Sequence, residues 1–486
     1  KFIPYAIIEQ SFRFGGRRSQ LFSRPCQFPN PTQPRIVASM SSMISERSPI
    51  RFSDALPPET DVVVIGGGVA GTATAYFLAK QNVRVLLCEK GRIAGEQSSR
   101  NWGWIRQQGR DYAELPIMME ANRIWQGLAQ ETGEADLTFT QAGCLYLADS
   151  EEKLAKFESW HDLAKQHQLS TRMLNKAEVE DLYDDVSGNW VGGMITDTDG
   201  RGEPFVAIPA LARAAQREGA AVVENCAVRT LDIADGQVCG VITEQGPVKC
   251  QQVVLAAGAW STFFAANEGQ KLPQLAVRST AARTTPALDL NLPNVSSPGL
   301  SLRRRDDGGY TVSTGDLAEH FLSPASFRYL PKFANLLRAS AKDVRLLPAA
   351  PKSYPGSWGM PGRWSADQES PFERMRVVNP KPSQTVVNRI KDRLPDRFPA
   401  LKDVQLAEAW AGMIDVTPDA VPALGEFPDV RGFYVATGLS GHGFGIGPAI
   451  GRIMADMLTG RVVGHDLTRF RLGRFYDGSP IVPGPY

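Results

Sequence analysis

Between residues 61 and 90 the chain reads DVVVIGGGVAGTATAYFLAKQNVRVLLCEK. Two short apolar runs, DVVVI and VRVLLCE, flank an Ala-rich stretch over 72–80. Unbroken β-branched runs predict strands buried on both faces, and hence a parallel sheet covered by helices. The next segment, GRIAGEQSSRNWGW (91–104), has no hydrophobic period, being too polar for a core strand and too rich in Gly and Ser for a good helix. Apolar runs return in GAAVVENCAVRTLDI and GQVCGVITEQGPVKCQQVVLAAGAWS (219–261), which predict a strand, a β-hairpin and a further buried strand over 253–257 that closes on Gly258. In GFYVATGLSGHGFGIGPAIGRIMADMLTG (432–460), a strand over 433–437 runs into a glycine-dense loop. A helix follows with Pro448 early in it, where a missing N–H costs little. Finally, GLSLRRRDDGGYTVS predicts a hairpin with Leu300 and Leu302 on one face and Ser301, Arg303 and Arg305 on the other.

The first of these segments carries chemistry. Gly66, Gly68 and Gly71 form G-x-G-x-x-G between strand and helix. Gly66 makes the tight turn, Gly68 lets the backbone approach a pyrophosphate and Gly71 lets helix pack on strand. The helix N-terminus offers unpaired N–H groups and a positive dipole end. Glu89, about twenty residues on, stands where an acid accepts hydrogen bonds from ribose hydroxyls. Strand, loop, helix, strand and terminal acid in that order predict a dinucleotide site, with NAD or FAD left open. The 432–460 helix points its positive end at whatever lies in front of it. For a flavin that is the N1–C2=O edge, negative in the reduced ring.

Composition narrows the classes. The 486 residues are 43% hydrophobic and 22% charged, an ordinary globular balance with room for two domains. A net charge of +1 argues against a dedicated nucleic-acid binder. The five histidines are not at metal-ligand spacing and the six cysteines form no C-x-x-C, so no metal site and no disulfide framework are read. No apolar run is long enough to span a bilayer. Residues 10–44 carry Arg13, Arg17, Arg18, Arg24 and Arg35 and no acid among many Ser, Pro and Phe. That is either an organellar transit peptide or leader sequence ahead of a start at Met40 or Met43. Residues 1–57 are taken as lying outside the fold.

Taken together over 58–475, the three nucleotide segments resemble the D-amino-acid-oxidase superfamily of FAD-dependent amine oxidoreductases, which includes glycine and sarcosine oxidases. Within it, GRIAGEQSSR looks nearly identical to the loop of the membrane-associated L-amino acid deaminases of the Proteus type. LRRRDDGGY, PKFANLL, PFERMRV and WAGMIDVTPDAVPALGE also have counterparts there. Two departures are read: no apolar anchor helix at the N-terminal end, and a flavin loop, SGHGFGIGP, richer in glycine.

The resemblance implies an α/β (α+β) fold: a Rossmann-like, two-dinucleotide-binding FAD domain with an interleaved mixed-sheet substrate domain. The FAD domain would take 58–110, 205–262 and 405–475, the substrate domain 111–204 and 263–404, with an insertion at 316–380 and a tail at 476–486. It places the loop with Ser98, Ser99, Asn101 and Gly103 beneath a flavin, Val228 at the adenine, and Ala257 and Gly258 near the phosphates. Lys90, Trp260, Gly438, Gly441, His442, Gly443 and Phe444 complete the expected cofactor contacts. The FAD is expected to be non-covalent: Asn101 stands where covalently linked relatives carry His, and no cysteine follows Cys250.

Arg303 is matched to the substrate arginine, since a carboxylate calls for a planar bidentate donor; the bland reading is a solvated hairpin tip. Trp410 would wall the substrate cavity or serve as a core tryptophan, and Trp104 and Gln107, after the flavin loop, would line the pocket. The expected reaction moves hydride from Cα of an α-amino acid, L by its closest resemblance, to flavin N5, and the imine then hydrolyses to a keto acid and ammonia. A D-amino acid or secondary-amine (sarcosine-like) oxidase or dehydrogenase, and a non-catalytic flavin-binding interaction protein, stand as alternatives. Expected partners are the amino acid and, as electron acceptor, oxygen or a quinone or respiratory carrier, with no nucleic acid and no metal. The 316–380 stretch reads either as a peripheral membrane contact or, preferably, as an amphipathic helix capping the substrate domain. The expected location is the cytoplasm, at a membrane if that contact exists, or an organelle if residues 1–40 are a transit peptide.

Overall fold

A computed structural model describes residues 43–183 and 185–484. The expectations for residues 1–42 lie outside the described residues. The elements that position the site are β1 (Val62–Ile65), α1 (Val69–Lys80), β2 (Val85–Cys88), α2 (Gln97–Arg100) and α3 (Glu114–Thr132). They continue with β3 (Ala221–Val223), β4 (Gln252–Leu255), β5 (Leu275–Thr284), β6 (Leu300–Arg304) and β7 (Tyr310–Ser313). Last come α4 (Pro324–Ala339), β8 (Leu406–Val416), β9 (Ala423–Glu426), β10 (Phe433–Thr437) and α5 (Gly443–Leu458).

The unbroken apolar runs do form a sheet buried on both sides. Its six strands lie in the order β9-β10-β4-β1-β2-β3. Every pairing from β10 to β3 is parallel, and β9 closes the edge antiparallel. In register, Val62 faces Val85 on one side and Gln252 on the other, and Val253 faces Phe433. Strands from three distant stretches of sequence thus share one layer, as a dinucleotide-binding sheet requires. α1 and α5 pack over it, and α3 lies against α5.

A second, mixed ten-stranded sheet carries the predicted β6–β7 hairpin. At its centre β5 pairs with β7 and, along its whole length, with β8. Two expected boundaries move accordingly. β8, placed with the nucleotide segments from its position in sequence, belongs to this second sheet. α3, placed with the substrate segments, buries Ile117, Met118, Ala121 and Trp125 in the nucleotide-side core with α1 and α5.

Residues 43–57 are part of the fold, contrary to the reading of 1–57 as leader. Phe52 is 2% exposed. Glu224 accepts hydrogen bonds from the main-chain N–H groups of Arg51 and Phe52, Ser53 bridges Val223, and Asp54 accepts from Val222 N. A single aromatic and two acid-to-backbone contacts leave no periodic signal, so the polar composition of this segment concealed its role. Among the described residues no helix is long and apolar enough to cross a membrane, and the cysteines are free.

Candidate active site

A long cleft runs along the C-terminal ends of β1, β2, β4 and β10, where parallel sheets present ligand sites. At its near end Gly66, at φ +109°, turns the chain so tightly that a Cβ there would stand 2.5 Å from the Ala256 carbonyl oxygen. A Cβ on Gly71 would stand 2.0 Å from the Gly66 oxygen, so this glycine serves helix–strand contact and does not face the cleft. Gly68 lines the cleft at the start of α1, and Ser98 Oγ accepts from Val69 N at 2.9 Å. At the end of β2 the Glu89 carboxylate accepts from Gly67 N and Gly91 N, both at 2.7 Å. Burial pushes this carboxyl up to about 7, against the pull of Lys90 and those two N–H groups.

The aperiodic loop 91–104 is held by a hub that sequence reading missed. Glu96 accepts from Lys90 Nζ at 2.7 Å, from Trp260 Nε1 at 3.1 Å and from Val378 N at 3.1 Å. Lys90 also donates to the Met375 and Arg376 carbonyls, so its ammonium is engaged beside the cleft. Asn101 folds the loop on itself, donating to the Ser98 carbonyl at 2.9 Å and accepting from Gly103 N at 2.8 Å. Ser98 and Asn101 line the cleft; Ser99, 2% exposed, donates to the Glu96 carbonyl instead. Gly103 lies against Gly202 and the Arg303 guanidinium, not the cleft.

Val228, Ala257, Gly258 and Trp260 line the cleft, as do Gly441, Gly443 and Phe444 where α5 begins. Gly438, at φ +71°, is turned away and donates to Asp415 Oδ2 at 2.7 Å. Asp415, a second missed anchor, also accepts from Leu439 N at 3.2 Å, fixing the turn that aims α5. The donor set suits a dinucleotide: an acid at a strand end, one helix N-terminus beside the glycine turn and a second at the far end of the cleft.

At that far end the cleft opens into a cavity of about 590 Å³. Gln97, Asn101, Gly441 and Phe444 border both spaces. The cavity walls are mostly apolar: Trp102 and Trp104, Leu275 and Val277 of β5, Ile414 of β8, and Phe333 and Leu336 of α4. Arg100, Arg106, Arg110 and His442 also line it. His442 precedes α5 with Nδ1 3.6 Å from Glu114 Oε2. Its imidazole is pushed down to about 4, by burial first and then by Arg110, so it is neutral near pH 7.

The three residues expected to meet the substrate stand off this cavity. Arg303, 1% exposed, forms a two-pronged ion pair with Glu203, Nη1 to Oε1 at 2.9 Å and Nη2 to Oε2 at 3.1 Å. It gives its remaining contacts to the Gly202 carbonyl and Thr311 Oγ1. Burial works to raise the Glu203 carboxyl, but Arg303 and Arg305 hold it below its usual range. The hairpin face was read correctly, yet that face meets a buried acid. Trp410, 4% exposed, donates Nε1 to the Arg100 carbonyl at 2.9 Å and so props α2. Gln107 turns to Asp199 and Thr198.

The chain belongs to the FAD-dependent oxidoreductase family whose shorthand is DAO; its family model matches residues 61–457. The structure of L-amino acid deaminase from Proteus myxofaciens in complex with anthranilate superposes with a TM-score of 0.83 at 30% identity, over 88% of this chain and 97% of that one. Glycine oxidase of Bacillus subtilis is 27% identical over 85% of this chain and 97% of its own length. Mouse mitochondrial sarcosine dehydrogenase is 26% identical over 87% of this chain, which spans only 42% of that relative.

Proposed function

We propose that the protein oxidises an α-amino acid of L configuration to the imino acid, which hydrolyses to a keto acid and ammonia. The observation that carries this reading is the cavity at the far end of the nucleotide cleft, with Gln97, Asn101, Gly441 and Phe444 bordering both. The L configuration rests on the likeness to the Proteus deaminase. Bound FAD supplies the hydride acceptor; the chain's own residues hold the substrate and shape its surroundings. The N-terminus of α5, preceded by a neutral His442, would offer positive potential to the negative edge of a reduced flavin bound in the cleft. Trp102, Trp104, Phe333 and Leu336 exclude water, which strengthens each electrostatic contact inside. The apolar walls suit a large apolar side chain.

Anaerobic mixing of the yellow holoprotein with a panel of L-, D- and N-methyl amino acids tests this. Bleaching of the flavin by L-amino acids with apolar side chains is the expected outcome; bleaching by D- or N-methyl substrates alone overturns it. Readmitting oxygen, against an artificial acceptor, reads the oxidant: hydrogen peroxide in step with keto acid marks an oxidase, dye reduction without peroxide a dehydrogenase.

We also propose that the outer face of α4 rests on an anionic lipid surface. Phe327, Leu330 and Leu346, with Trp358 beside Phe327, are all more than half exposed. Arg328, Arg338 and Arg345 lie on the same stretch and supply the charge complementarity.

A further inference from the structure

Three arginines line the cavity: Arg100, Arg106, whose Nη1 donates to the Gln108 carbonyl, and Arg110. Arg100 is spent on four backbone carbonyls: Nη1 donates to Val378 and Ala411, and Nη2 to Ile44 and Gly95. It is a clamp for the flavin loop. Arg106 and Arg110 belong to the turn that follows Trp104, and that turn is fixed from beneath. The Asp199 carboxylate accepts from Gln107 N at 2.7 Å, Gln107 Nε2 at 3.1 Å and Gln108 N at 3.2 Å. Arg110 Nε donates to the Arg106 carbonyl at 3.1 Å, tying the two arginines into one unit.

Gly109 makes room for them. It sits at φ +72°, and a Cβ there would stand 3.0 Å from Arg106 Nη1 and 3.3 Å from Tyr146 Oη. The Arg106 guanidinium lies over the Tyr146 ring, 5.6 Å from its centroid. Arg110 is only 2% exposed, so its charge is held in a poorly solvated place where a carboxylate contact is worth most. Leu275, Val277, Ile414, Phe333 and Leu336 give the same cavity an apolar lining.

We propose that Arg106 and Arg110 receive the carboxylate of the substrate, in place of Arg303, and that Gln107 and Asp199 are positioning residues for that pair. This rests on the amino-acid reading above and names the group that orients the substrate. Two planar guanidiniums on one turn grip a carboxylate at one end of the cavity, leaving the side chain among the apolar walls.

The test is calorimetric titration of the FAD-loaded protein with 3-phenylpropanoate and with its neutral amide. The wild type should bind the acid at least about tenfold more tightly than the amide, the size of a charge-assisted hydrogen bond. Arg106→Gln and Arg110→Gln should each lower acid affinity about ten- to a hundredfold while leaving amide affinity and flavin content within about threefold. Arg106→Lys should recover part of the loss. Where a charge deletion disturbs folding, Gly109→Ala crowds Arg106 without removing charge and should weaken the acid selectively. Acid affinity unchanged in both glutamine variants overturns the proposal. So does its loss in the paired Arg303→Met/Glu203→Gln variant, which leaves no buried charge unpartnered, if the glutamine variants retain it. Ligand binding needs no turnover. Selective acid binding that depends on Arg106 and Arg110, with no amino acid bleaching the flavin, would sink the amino-acid reading and leave the arginine assignment standing.

Discussion

At the scale of single residues, the raised carboxyl of Glu89 at the end of β2 predicts that cofactor binding depends on pH. Its carboxyl is raised to about 7, and the ionised form is the one that accepts from ribose hydroxyls. FAD binding therefore lowers this pKa and releases a proton. The gain in affinity is fully present above pH 7 and is lost as pH falls through 7 towards the lower value of the bound state. Measured by quenching of flavin fluorescence, FAD affinity should fall by up to about tenfold per pH unit below 7, and Glu89→Gln should flatten the profile. A flat profile in the wild type would contradict this coupling. The strand-end position of Glu89 was legible in sequence because its spacing from Gly66 and Gly68 is local and set by a single helix and strand. The surroundings of Arg303 were not legible for the opposite reason: its strand face was evident, but its partner Glu203 lies a hundred residues away and is brought there only by the tertiary fold. Glu96 and Asp415 lie in segments that the resemblance marked, but their partners Lys90, Trp260 and Gly438, like the surroundings of Arg106 and Arg110, are set by the tertiary fold and by no fixed spacing.

At the scale of elements, the glycines of the last segment divide into two kinds. Gly441 and Gly443 border the cleft, as expected. Gly447, read as part of the flavin loop, and Gly451, beyond Pro448 in the expected helix, both lie inside α5 and let it press against α1. A Cβ on Gly447 would stand 2.3 Å from Val69 Cγ2, and one on Gly451 would stand 2.5 Å from the Ala73 carbonyl carbon and 2.7 Å from Thr74 N. Because backbone cannot give way as a side chain can, Gly451→Ala should cost about 1–3 kcal/mol in urea unfolding and lower FAD retention. Gly127→Ala, in α3 with nothing within 4 Å of its new methyl, should be neutral or stabilising by up to about 1 kcal/mol. Equal effects would rule out close helix approach as the reason for Gly451. The strands were legible because continuous apolar runs admit few alternatives. The four-residue α2 was not, because its polar sequence takes its shape from Glu96, Trp410 and Arg100.

At the scale of the whole molecule, α4 has two faces with different tasks. Its inner face gives Phe333, Leu336 and Leu337 to the substrate cavity, and its outer face leaves Phe327 and Leu330 exposed. If the outer face rests on lipid, the protein should co-sediment with vesicles containing phosphatidylserine, less so in high salt, and not with pure phosphatidylcholine. Phe327→Glu together with Trp358→Glu should abolish this while sparing soluble turnover. No sedimentation with the anionic vesicles would dismiss the lipid contact.

The order of strands in the nucleotide sheet has a further consequence, for synthesis. β1, its glycine turn and its neighbour β2 leave the ribosome early, its other neighbour β4 follows near the middle of the chain, and β10, which pairs with β4, and α5, which packs on α1, are made near the end. No flavin-binding half can be finished while the rest is still being translated. The nascent chain must carry a partial sheet, without β10 and without the cover of α5 on α1, until residues near 450 emerge, which makes timely supply of chaperone and flavin a determinant of yield.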